Sequence, residues 1–107
     1  MWGVFGSPSR PFAVGVLAVR EPDDHSHRSV ERLGVALDAY ELGYFLIDTI
    51  EAAADGSGYS AAEALAACAD ADALVTRGPV DSHRLAGIAD RHRLVIRTLD
   101  GDVSRRP

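Results

Sequence analysis

Four short apolar runs, separated by stretches with helical periodicity, limit what this chain can become more than any other feature. The runs are residues 12–19, 44–50, 73–76 and 94–99. The first is continuously apolar, the pattern of a central parallel strand covered on both faces. Between the first two runs, Val30, Leu33, Leu37 and Tyr40 recur at helical spacing, with Ala36 beside them and Glu31, Arg32, Asp38 and Glu41 falling between. That band is either a core face or an interface. The alternation β-α-β-α-β-α-β favours parallel strands joined by right-handed crossovers. The expected fold is therefore α/β, a three-layer open and mostly parallel sheet of about four strands with about three helices.

Local signals punctuate this order. Gly15 weakens the first strand's own preference but admits a closely packed helix. Ser26 or Ser29 is a candidate cap for the first helix, and Gly43 supplies its stop. Residues 51–59 read as a flexible connection. Ser60 and Glu63 have the spacing of a capping box, predicting a second helix to about Ala69 with Leu65, Ala69 and Ala61 or Ala62 on a slim apolar face. Gly78-Pro79 breaks the third strand. Asp81 or Ser82 then caps a third helix that turns Leu85, Ile88 and Ala89 inward. Residues 1–11 hold two prolines, two glycines and two serines and read as an irregular arm, whose Trp2 and Phe5 are buried if the arm packs on the body or on another subunit. Residues 12–99 form one α/β domain, and residues 100–107 a frayed tail.

A chain of 107 residues suits one domain with a modest core. No stretch approaches 18 consecutive apolar residues, so no membrane span is expected. The first residues lack a basic segment ahead of their apolar part, unlike a secretory signal, and a cytoplasmic location is the expectation. The single cysteine, Cys68, stands among alanines and reads as a small buried hydrophobe in a helix. All eleven basic residues are arginine, and lysine, asparagine and glutamine are absent, a composition typical of a high-GC bacterial genome. The formal net charge of −5 argues against nucleic-acid binding by this domain alone, since neutralising phosphates needs a basic surface. Charge is also uneven: residues 38–76 hold eight acids and no arginine, whereas seven arginines and four acids follow from Arg77 onward. Such polarity suits ordinary solvated faces, or self-association and an oppositely charged partner.

The first strand ends in Val19-Arg20-Glu21-Pro22. A helix, Leu42-Gly43-Tyr44, a second strand and the turn Asp55-Gly-Ser-Gly58 follow. Ala71-Asp72 then enters a third strand that ends in Thr76-Arg77. Over residues 12–99 this order resembles the N-terminal catalytic domain of the resolvase/invertase, or serine recombinase, family. The resemblance implies an α/β domain of four or five strands, in which Arg20 matches the family arginine after the first strand. The family's nucleophile is a serine two residues beyond that arginine, and here the position holds Pro22. Only Arg77 and Arg84 correspond, loosely, to the family's arginine-rich motif. The resemblance thus implies a degenerate relative without its catalytic chemistry.

Other constellations offer weaker chemistry. Arg20, Ser57 and Arg77 form a candidate anion or polar site, because loops following neighbouring parallel strands converge. Asp23, Asp24 and Asp48 form a candidate acidic site, conceivable for Mg²⁺ but more simply solvated turn acids. Asp23-Asp24 is also similar to the acidic pair of response-regulator receiver domains, whose further aspartate and lysine have no counterpart here. His25 and His27 lack the second ligand pair of a zinc site. His83 and His92 read as surface residues. Asp55-Gly-Ser-Gly58 lacks the lysine of a Walker motif and reads as a turn. No catalytic residue, resident metal or cofactor is implied. The expected function is a non-catalytic interaction or structural module, partnered by its own copies or by another protein. The alternative is a small phosphate-acting or nucleotide-binding enzyme that uses Arg20, Arg77 and the loop aspartates.

Overall fold

The computed structural model describes residues 11–19 and 25–98. Seven elements follow in order: β1 (Phe12–Val19), α1 (His25–Leu42), β2 (Phe45–Ala53), α2 (Tyr59–Ala69), β3 (Ala73–Arg77), α3 (Ser82–His92) and β4 (Val95–Arg97). All pairings are parallel, and the strand order is β2-β1-β3-β4. The expected three-layer α/β fold is the observed one. β1 is central, and its run from Ala13 to Leu17 is buried.

Two apolar cores flank the sheet. On one face Val14, Val16 and Leu74 pack with Tyr59, Ala62 and Ala66 of α2 and with Leu85 and Ile88 of α3. On the other, Ala13, Leu17, Ala73 and Val75 meet Val35 and Ala39 of α1. Gly15 explains why α1 can lie so close. A Cβ at that position would stand 2.7 Å from Val35 Cγ1 and 2.8 Å from Thr49 Oγ1, inside any real contact. The small residue in the strand and the small residues on the inner face of the helix are one fitted arrangement.

Several local expectations are corrected. α1 begins at His25, so Ser26 and Ser29 lie inside the helix rather than ahead of it. β2 extends through Glu51, Ala52 and Ala53, which pair with Leu17, Ala18 and Val19; β1 thus carries the strand into the stretch expected to be flexible. A register shift opposite Ala13 and Val14 places a bulge in this edge pairing. α2 starts at Tyr59 with Gly58 at its cap and no side-chain capping bond, so Ser60 and Glu63 do not form a capping box. Gly58 has φ +95, and a Cβ there would stand 2.2 Å from the Glu51 carbonyl oxygen. The backbone passes too close to β2 for any other residue. α2 buries Tyr59, Ala62 and Ala66, while Ala61 is exposed. Cys68 is exposed rather than buried, because it follows Ala66 around the helix toward solvent. β4 is shorter than its apolar run, at Val95–Arg97. The expected stop at Gly43 (φ +91) and the Asp81 cap of α3 are both present; the Asp81 carboxylate accepts from the amides of His83 and Arg84.

Candidate functional site

In an open parallel sheet, ligands lie beyond the C-terminal ends of the strands, where successive connections leave in opposite directions. With order β2-β1-β3-β4, that point lies between β1 and β3, since α1 covers one face and α2 and α3 the other. A cavity of about 390 Å³ is present at this end. Ala18, Val19, Ala52 and Ala53 form its strand side, and Tyr59, Pro79 and Asp81 close it. Its two polar side chains, Tyr59 and Asp81, are both hydrogen-bonded. The Tyr59 hydroxyl accepts from the Asp81 amide at 2.7 Å. The Asp81 carboxylate serves the first amides of α3 and also receives Arg84 Nε at 3.2 Å. The Arg84 guanidinium lies 6.0 Å from the Tyr59 ring centroid. These bonds tie the start of α2 to the start of α3, and the walls of the cavity are largely methyl groups.

Arg77 ends β3 on the α1 side. Its Nε donates to Glu31 Oε1 at 3.0 Å, and its terminal nitrogen Nη1 donates to Asp38 Oδ2 at 3.0 Å. Partial burial opposes its charge, but the two carboxylates outweigh that cost and raise its pKa. The guanidinium lies against Gly34, where a Cβ would collide with it. Arg77 therefore fastens α1 to the sheet with its charge offset twice. Asp48 stands on the edge strand, accepts the Thr49 amide at 2.8 Å, and pairs with Arg32 at 3.5 Å. Arg32 also reaches Glu51 at 3.2 Å. Ser57 donates its amide to Asp55 Oδ1 at 2.9 Å, closing the glycine-rich turn. This bond from Ser57, with a smaller contribution from Arg84, lowers the Asp55 pKa. The three described candidates each sit in a separate local network. Arg20, Asp23 and Asp24 lie outside the described residues. Among the described residues, no group of three or more His, Cys, Asp or Glu side chains is placed to hold a metal.

A further network joins α2 and α3 on the opposite side of the sheet. Glu63 receives Arg91 at 2.8 and 3.1 Å and lies 2.8 Å from His92 Nε2. The hydrogen bond from Arg91, followed by that from His92, lowers the Glu63 pKa to about 2. His92 is thus half-buried and bonded, while His83 is exposed as expected. This too is a fastening between helices.

The feature the sequence left open is the apolar band of α1, and it faces outward. Val30 is 66 % exposed, Leu33 61 %, Leu37 57 % and Tyr40 66 %. Phe45, at the start of β2, is 55 % exposed and stacks on Phe12 with ring centroids 6.1 Å apart. Ala36, Tyr40, Tyr44, Phe45 and Leu46 enclose a cleft of about 290 Å³ at the C-terminal end of the helix. A band of large apolar side chains on one helix is the sort of surface that marks a contact site rather than scattered surface residues. No family model, curated protein or solved structure matches this chain. No described helix is long and apolar enough to cross a membrane.

Proposed function

We propose that this chain is a non-catalytic α/β interaction module that self-associates through the outer face of α1, on a scaffold derived from a serine recombinase catalytic domain. The observation that carries the reading is the exposed band Val30, Leu33, Leu37 and Tyr40. The loss of catalysis is supported by Pro22 in the nucleophile position and by the double engagement of Arg77 with Glu31 and Asp38. A guanidinium already held by two carboxylates is a poor clamp for phosphate. The recombinase ancestry rests on the order of motifs over residues 12–99.

Sedimentation velocity across a concentration series tests the proposal. A reversible shift from monomer to dimer is expected, and it is abolished in a Leu33→Ser, Leu37→Ser double variant that keeps its helical circular dichroism. A wild-type chain that stays monomeric at several hundred micromolar would sink the reading. A thermal shift with nucleotide and Mg²⁺ would instead favour the phosphate-acting alternative.

A further inference from the structure

We infer that the partner on α1 is a second copy of this chain, docked antiparallel, α1 against α1, about a two-fold axis that passes beside position 35. This rests on the self-association proposed above and adds its geometry. The exposed residues of the band are separated by three, four and three positions. Those intervals are the heptad spacing of a two-helix seam. They also read the same in both directions. A two-fold contact requires a patch complementary to itself, and a palindromic spacing meets that requirement directly.

Side-chain size decides the direction. The band runs from Val30, the smallest, through two leucines to Tyr40, the largest. Parallel pairing would set Val30 on Val30 and Tyr40 on Tyr40, a wedge that forces the helices apart at one end. Antiparallel pairing sets Val30 of each copy beside Tyr40 of the other, and Leu33 beside Leu37. Every layer then has similar bulk, which suits the nearly constant separation of about 8–10 Å between packed helices. The helix dipoles also oppose one another favourably in this direction. Ala36 flanks the centre of the band with a single methyl group and leaves the approach open.

Area agrees with a dimer. Applying the exposed fractions to ordinary side-chain areas, the four helix residues and Phe45 leave roughly 600 Å² in solvent per copy. That reaches the upper end of the largest patches on monomers. With a polar rim it approaches the about 800 Å² per partner of a standard interface. The cleft beside Tyr40 and Phe45 lies where the partner's Val30 end would arrive.

Disulfide trapping tests the direction. In a Cys68→Ser background, Leu33→Cys and Leu37→Cys chains with tags of different length are mixed and oxidised gently. Antiparallel pairing brings position 33 of one copy to position 37 of the other. Like positions are then offset by about 6 Å along the axis, four residues at ~1.5 Å each. That offset adds to the interhelical distance and exceeds the reach of a disulfide. The expected product is the mixed 33–37 species in several-fold excess over either like pair. Dominant 33–33 and 37–37 products would overturn the antiparallel arrangement while leaving self-association intact. A dimer by sedimentation with no cross-link at either position would overturn pairing through α1. A chain monomeric by sedimentation would overturn the underlying reading as well. Both positions are exposed, and circular dichroism of the reduced variants checks that the fold is kept.

Discussion

The two faces of the sheet are closed in opposite ways. On the α2–α3 face the large side chains Tyr59, Leu85 and Ile88 point inward, and the residues turned outward are mostly small or polar. On the α1 face the helix buries Val35 and Ala39, with Leu42 partly buried beside them, and four large side chains, Val30, Leu33, Leu37 and Tyr40, point out. α1 is held by close approach over Gly15 and by the charges of Arg77, Glu31 and Asp38. One layer spends its apolar surface on the fold. The other leaves most of it in solvent, and is held in place by fitted small residues and ion pairs.

The comparison can be broken by substitution. The largest effect is expected at Leu85→Ala, which empties a fully buried site under α3 and should cost about 2–5 kcal/mol in urea unfolding. A loss below about 1 kcal/mol would mean that the α2–α3 layer does not carry the core. Next comes Gly15→Ala. Its added methyl collides with Val35 and Thr49, so a loss of about 1–3 kcal/mol is expected. Pairing it with Val35→Ala should recover part of that loss in a double-mutant cycle, because both changes act on one contact. Asp38→Ala leaves Arg77 with one of its two carboxylates in a partly buried setting, and about 1–2 kcal/mol should be lost at low salt. Leu37→Ser is expected to change the stability of the dilute chain by only about 0.5 kcal/mol or less, since the side chain already faces water. A loss like that at Leu85 would show that the band is core after all.

The smallest effect concerns pH. Glu63 has a folded pKa lowered to about 2, from an ordinary value of 4.5, by Arg91 and His92. A lowered carboxyl pKa contributes stability that is present above 4.5 and is lost as pH falls toward 2. Glu63→Gln should therefore flatten the acid side of a melting-temperature profile between those values and leave a small constant offset above them. An unchanged slope would show that the α2–α3 ion pairs contribute nothing measurable.

The sequence made β1 legible because eight consecutive apolar residues admit little besides a central strand. It made the ends of α1 and α3 legible through Gly43 and Asp81, whose roles depend on neighbouring backbone alone. The direction α1 faces was not legible. Periodicity locates a stripe but does not say which stripe turns inward, and the larger residues attract the eye. What decides it is Gly15, far away in the chain, which leaves room only for Val35 and small neighbours. The partners of Arg77 were hidden for the same reason, since Glu31 and Asp38 meet it only after the sheet forms. Glu63 matched a local capping pattern, yet a partner on another helix took it instead.

The central place of β1 has a consequence for how the chain is made. Among the described strands β1 leaves the ribosome first, and β2 follows after one helix. Its other neighbour, β3, comes much later, with Ala13 pairing Ala73 and Leu17 pairing Arg77. Until β3 is synthesised, one hydrogen-bonding edge of an almost wholly apolar strand stays open. Arg77, the last residue of β3, also completes the grip on α1. Closure of that edge and fixing of α1 therefore fall in the same interval of synthesis. A nascent chain that ends before β3 would carry both an open strand edge and an α1 without the grip of Arg77, a combination that favours aggregation.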